Sequence, residues 1–229
     1  DYVKNTDINA PETLADSQST LVVDQAKFFN FQIDDVDRAQ QKPKVMDAAM
    51  REAAYALRYT QDSFISGKYA EAGSALGDDT TPKSVGIGTS DANAYELLVD
   101  LGVLLDEKYI PAEGRWAIVP PWYHGLLLKD QRFVSFGTEQ NLATLRNGRV
   151  GMAAGFTILK SPLVPNTSGA KYKILAGHSM AITLAEQIMN VEAYRPQLRF
   201  GDAVKGLMVY GAKVVRPMAL ACLTASIAS

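Results

Sequence analysis

Apolar and polar positions alternate along TLVVDQAKFFNFQIDD, residues 20–35. Leu21 and Val23 share one face, and Phe29, Phe31 and Ile33 share a face further on. A period of two marks a strand, so the spacing predicts one long strand, or two around a kink near residues 24–27. The acidic stretch carrying Asp34, Asp35 and Asp37 ends it. The period then changes. Val45, Ala49, Ala53, Leu57, Thr60 and Phe64 recur at spacings of three and four, which predicts a helix over 43–66 with one narrow apolar stripe. Pro43 suits the first turn, where its missing N–H costs nothing, and Gly67 supplies a terminator. Such a helix runs ~36 Å. A compact chain of this length has a radius of gyration of ~17 Å. One helix crossing most of the globule favours a flat or elongated body.

The first 19 residues are polar, contain Pro11 and read as loop or irregular strand. Residues 68–88 are rich in Gly, Ser, Thr and Asp and read as a linker or irregular loop. A second helix is predicted over 91–108, capped by Thr89, Ser90 or Asp91. RWAIVP reads as a short buried strand that Pro120-Pro121 breaks. PWYHGLLLKD restarts as a helix with proline in its first turn. NLATLRNG, residues 141–148, reads as helical and stops at Asn147-Gly148. GFTILKS, KYKILAG and MAITLAE read as short strands rich in β-branched or aromatic residues. VKGLMVYGAKVV, residues 204–215, reads as another long strand in which Gly206 and Gly211 suggest bulges or bends. Pro217 ends it, and MALACLTAS reads as a last short strand. Helices and strands alternate in the middle of the chain, so the expected class is mixed α+β. No tandem repeat with a period of 20–50 residues is present.

Composition narrows the function. At 229 residues the chain holds one large domain or two small ones, and it can bury a core without disulfides or metals. Lys plus Arg is 23 and Asp plus Glu is 25, a net charge of −2. That balance argues against a dedicated nucleic-acid binder, which carries a strongly basic face. Hydrophobic residues at 47% and charged residues at 21% exclude general disorder. The single cysteine, Cys222, excludes an intrachain disulfide and a thiolate metal cage. It sits among Ala and Leu and reads as a small buried hydrophobe. The front of the chain has no apolar leader segment, and the longest apolar stretches are too short to span a bilayer. The chain opens without Met in what reads as an extended segment, so a fragment or processed product is expected.

Candidate chemistry is sparse. Gly177-His178-Ser179-Met180-Ala181 imitates the G-x-S-x-G nucleophile elbow, in which small residues flank a serine on a strained strand-to-helix turn. Here the last glycine is replaced by Ala181, and Ile182 and Thr183 favour strand over helix. His124 and His178 are the two histidines, and neither follows Ser179 along the chain as that elbow's base does. A serine hydrolase centred on Ser179 is therefore a remote alternative to a tight turn between strands. The histidines form no metal motif and read as hydrogen-bonded structural residues. Asp34, Asp35 and Asp37 are oxygen-rich enough for a hard cation but lack a calcium-loop spacing, and a solvated acidic turn is favoured. Gly86-Ile87-Gly88 before a helix imitates a dinucleotide fingerprint, but Asp91 stands where its third glycine belongs. Gly73 and Gly77 lack the Lys and Ser/Thr of a phosphate loop. The expectation is no catalytic, cofactor-binding or metal-binding residue.

Several segments carry a family resemblance. TLVVDQAKFFNFQIDDVDRAQ followed by MDAAMREAAYAL pairs a long strand and acidic turn with a helix. AYELLVDLGVLLDEKYIPAEGRWAIVPPWYHGLLLKDQRF is the most specific stretch. LRNGRVGMAAGFTILKS, AGHSMAITLAEQI, EAYRPQLRFGDAVKGLMVYGAKVVRP and ALACLTAS follow in order. Over nearly its whole length the chain resembles the major capsid proteins of tailed bacteriophages, in the lineage sharing the HK97 fold. The resemblance implies a peripheral domain at 1–83 and 191–215, carrying the spine helix and long strands. It implies a mixed axial domain at 84–190 and 216–229. The family's N-terminal arm and most of its extended loop are absent from this stretch. The implied function is a non-enzymatic, self-assembling subunit of an icosahedral phage head around packaged DNA. An encapsulin-type nanocompartment shell protein is the alternative. Implied partners are copies of itself in hexamers and pentamers, with scaffold, portal and decoration proteins as further partners. Contact with double-stranded DNA would be non-specific, and no membrane is involved. The implied location is the virion, after assembly in the bacterial host cytoplasm.

Overall fold

The alternating segment near the front becomes β1 (Gln25–Asp34), a single strand, and the narrow-striped segment becomes α1 (Val45–Ser66), 22 residues long. The computed structural model describes residues 19–35, 45–88, 91–130 and 151–228. After a 3-10 turn at Gly67–Glu71 come β2 (Ser74–Leu76), β3 (Lys83–Val85), α2 (Ala94–Asp106), β4 (Arg115–Val119) and α3 (Pro121–Lys129). Then follow β5 (Met152–Ala153), β6 (Phe156–Lys160), β7 (Asn166–Thr167), β8 (Lys171–His178), β9 (Ile182–Tyr194), β10 (Gly201–Val214) and β11 (Leu220–Ile227). The expected helix over 141–148, the start of α1 at Pro43, Asp37, and the caps Thr89 and Ser90 lie outside the described residues.

Two sheets organise the chain. The first is antiparallel with order β1-β10-β9. At ~3.4 Å per residue, the 14 residues of β10 extend ~48 Å. The glycines of β10 do not make bulges where the sequence suggested them. Gly206 faces Phe29 across the β1 ladder, and the phenyl ring fills the space that a Cβ would occupy. At Gly211 a Cβ would collide with the Val22 backbone, so this glycine lets the chain leading into β1 cross closely. The register shift lies between Val209 and Tyr210, where β9 carries Gln187 as its extra residue. β9 is also longer than the short strand expected from MAITLAE, because pairing with β10 carries it on to Tyr194.

α1 lies against this sheet through a small core. Leu57, Met208 and Tyr210 are buried together, and Phe29 and Phe64 pack at the margin. Phe64 meets Tyr210 edge to face at 5.6 Å between centroids. The Gln61 amide, buried under the helix, donates to the Glu186 carboxylate of β9. Most other positions along α1 are exposed or half-buried. Thr60, placed on the apolar stripe by its spacing, donates its hydroxyl back to the Ala56 carbonyl at 2.8 Å.

The second sheet has order β2-β11-β8-β4-β6-β5, with β3 also on β11 and β7 on β8. Alternate residues of β8 point to opposite faces. Ile174 and Ala176 join the main core with Leu97, Leu98, Leu101 and Leu105 of α2 and Tyr123 and Leu127 of α3. Leu175, between them, packs on the other face with Val214, Ala219 and Leu220. Tyr123 stitches the two helices, its hydroxyl donating to the Ala94 carbonyl at 2.7 Å. β2 and β3 fall inside the stretch expected to be loop. Both pair in parallel with β11, so tertiary pairing makes strands of segments with little signal of their own. α2 starts three residues later than expected, with Asn93 as N-cap accepting from the Tyr95 N–H at 2.8 Å.

Candidate assembly surface

The sequence motifs with chemical potential resolve into structural parts. β8 ends at His178, and a turn closed by Ala181 N–H donating to the His178 carbonyl at 2.9 Å leads straight into β9. A nucleophile elbow needs a helix there, and the structure has a strand. Ser179 Oγ lies 3.5 Å from His178 Nδ1, while the Met180 N–H donates to that same Nδ1 at 3.1 Å. Nδ1 is thus an acceptor already occupied by backbone, and the imidazole acts as a turn clip. His124 is buried on α3. Burial first, and the Lys160 charge second, hold its imidazole below the ordinary value.

The acidic turn is an ion-pair knot. The Arg195 guanidinium reaches Asp35 at 2.5 Å and Asp202 at 3.4 Å. Among the described residues no three His, Cys, Asp or Glu side chains converge as a cation site. Gly86 and Gly88 serve Asp91: its carboxylate folds back beneath the loop and accepts from the Gly88 N–H at 3.0 Å. Cys222 is buried on β11, and burial pushes its thiol up to about 11.

Two buried cations fasten loops. Arg115 of β4 donates to Asp106 at 2.6 Å and to the carbonyls of Ile110 at 2.5 Å and Pro111 at 2.9 Å. It holds the turn after α2, where Tyr109 adopts φ 57° and stands 95% exposed. Lys173 of β8 donates to Asp79 at 2.6 Å and to Thr224 Oγ1 at 3.2 Å, tying the β2–β3 connection to the sheet. The Lys173 hydrogen bond holds the Asp79 carboxyl below its ordinary value.

What remains is surface. The β9–β10 hairpin tip projects Leu198, 98% exposed, and Phe200, 83% exposed. Arg195 clamps the base of that tip to both flanking strands. Large apolar side chains also stand exposed at Phe28 on β1, at Val22 just before it and at Tyr55 on α1. Among the described residues β1 and β9 are both edges of their sheet. Apolar residues exposed beside strands that lack an outer partner among the described residues suit contact with other chains. Sequence reasoning named no contact residue. One available signal was the pair of large apolar residues inside the turn-like, arginine-flanked stretch RPQLRF.

Solved structures that superpose on this chain include a phage capsid and an encapsulin shell. The capsid structure of the cyanophage P-SCSP1u superposes with TM-score 0.72 at 19% identity, over 99% of this chain and 81% of that one. The holo-SrpI encapsulin complex of Synechococcus elongatus PCC 7942 gives 0.56 at 14% identity, over 90% and 75%. These likenesses show the fold, which is HK97-like. A structure from Mycobacterium phage Che8 is similar at 32% identity and TM-score 0.73, over 93% of this chain and 76% of that one. A family model described as phage capsid protein matches residues 18–223, and the chain belongs to that family. No curated protein matches. The chain is a structural subunit of a phage capsid shell, and the relatives that establish this are structural proteins.

Proposed function

We propose that copies of this chain associate into hexamers and pentamers of an icosahedral phage head enclosing double-stranded DNA. The observation that carries the proposal is the family match over 18–223 in a chain with long edge strands and exposed apolar residues beside them among the described residues. Each contact can be weak, because closed symmetry multiplies it over many copies. A net charge of −2 lets identical subunits approach and keeps DNA contact non-specific. The occupied Nδ1 of His178 and the strand after Ser179 support a role without catalysis. The two sheets support a peripheral domain at 1–83 and 191–215 and an axial domain at 84–190 and 216–229, with β2 and β9 reaching across those limits. Scaffold, portal and decoration proteins are the proposed further partners. The proposed place of assembly is the bacterial cytoplasm, and the proposed destination is the virion.

Electron microscopy of the purified chain at rising concentration tests the reading. Closed icosahedral particles are expected. A chain that stays monomeric throughout, or open rods alone, would overturn it. Co-purification of a cargo enzyme bound inside empty shells would transfer the reading to an encapsulin-type compartment.

A further inference from the structure

Two apolar patches of opposite charge lie on opposite faces of the eight-stranded sheet. α2 turns Val99 and Val103 outward, 40% and 48% exposed, one helical turn apart. Asp100 and Glu107 are exposed on the same outward side of the α2 segment, and neither has an ion pair among the described residues. On the other face, the chain leaves β10 through half-buried Lys213, whose ammonium also donates to the Thr20 carbonyl at 2.6 Å, and through Val215, Arg216 and Met218, with Met218 63% exposed. The opposition is fixed by β8, whose Ile174 and Ala176 pack toward α2 while Leu175 packs against Val214 and Ala219. Arg216 donates to Met180 Sδ at 3.4 Å, a weak acceptor, which leaves most of its five N–H donors for a carboxylate.

We propose that the outer face of α2 in one copy seats on residues 213–218 of the next copy. The two patches complement one another, since each has an apolar centre and their rims carry opposite charge. Contact of either patch with its own kind would set like charges together. Joining two different patches on opposite faces is a head-to-tail contact, which closes into a ring when the rotation between successive copies closes and runs on as a filament when it does not. The inference rests on the shell reading and names the faces by which copies meet.

The test is a charge swap in the full chain, read by sedimentation velocity and negative-stain microscopy. One variant carries Asp100→Lys with Glu107→Lys, and the other carries Lys213→Glu with Arg216→Glu. Each alone now opposes like charges, so association is expected to weaken by about tenfold or more while the circular dichroism stays that of the folded parent. Mixed in equal amounts, the two variants regain complementary pairs where they alternate, so association returns as even-membered rings such as hexamers. Parent-like assembly of either variant alone, or a folded mixture that stays apart, overturns the contact while leaving the shell reading intact. A parent chain that never assembles overturns the shell reading, and the contact with it. If a charge variant misfolds, Val103→Ser and Met218→Ser at exposed positions take its place. Each should weaken association by about tenfold, and parent-like association overturns the proposal.

Discussion

Leu57→Ala tests whether α1 is fastened independently of the larger sheet. The core beneath α1 has three buried members, Leu57, Met208 and Tyr210, and shares none of them with the other two cores. Removing three methylene-sized groups loses ~2.4 kcal/mol of transfer energy at ~0.8 kcal/mol each. The cavity left against Met208 and Tyr210 brings the total to ~3 kcal/mol, within the usual range for buried Leu→Ala. Because the separate cores share no side chain, the loss falls on docking of α1. Each ~1.4 kcal/mol is a factor of ten. Amides in the middle of α1 should therefore exchange with solvent roughly 100-fold faster in the variant, if they exchange by undocking. Amides of α2 and β8 should exchange as in the parent. Hydrogen exchange with mass spectrometry reads both at once. Unchanged α1 protection, or an equal loss of protection in β8, would refute the independence of the two bodies.

Ala53→Pro removes a hydrogen bond mid-helix and clashes with the preceding turn, so α1 should lose ~3 kcal/mol or more. Far-ultraviolet circular dichroism and thermal melting check this, and a parent-like melt would end the view of α1 as a beam. Gly211→Ala places a methyl against the Val22 backbone, which cannot rotate aside. Destabilisation of about 1–3 kcal/mol is expected by denaturant titration, and a stabilised variant would contradict the close crossing. The Asp79 carboxyl is held below its ordinary value of 3.8, so its bond to Lys173 stabilises the fold above that pH and is lost as pH falls through the lowered value. Amides of β2 and β3 should lose protection on acidification below pH 3.8, and Asp79→Asn should shrink that step. An undiminished step would assign the acid response elsewhere. A fluorophosphonate probe should leave Ser179 unlabelled at neutral pH, and stoichiometric labelling would revive a hydrolase.

The sequence revealed what depends on local periodicity, and it hid what depends on distant pairing. β1, the body of α1 and the proline-started α3 were legible because their apolar residues follow one period and their ends carry chemical stops. β2 and β3 were not, since SAL and KSV are three residues each and become strands on meeting β11. Gly206 and Gly211 were legible as special positions but not for the right reason. A glycine that makes room for Phe29 or for the Val22 backbone has the same one-letter signal as a bulge. The start of α2 slipped because Asp91 is spent on the Gly88 turn, which hands the capping role to Asn93. The absence of a catalytic elbow was legible from the order of His178 and Ser179 and from β-branched Ile182 and Thr183. Contact surfaces were not, because an apolar residue that faces a neighbour and one that faces the core look alike in a string.

The same residues explain why the fold suits a shell. Among the described residues β1 and β9 have no partner on their outer edges, and Leu198 and Phe200 stand bare in the β9–β10 connection, so apolar surface and backbone polar groups are left uncovered. Soluble monomers avoid such edges or blunt them with charge. Here the blunting is partial: Glu186 and Glu192 on β9 engage Gln61 and Lys205, and Lys27 sits on β1. The thin attachment of α1 points the same way. A helix of 22 residues whose apolar core among the described residues has three buried members, with only Leu57 from the helix itself, is thinly packed as the component of a lone globule. Its exposed faces, with Tyr55 and Tyr59, are surface that a neighbouring copy could cover in a shell. Marginal cores and open edges in one subunit become stability once many copies close on one another, because each copy supplies the surface that the next one lacks.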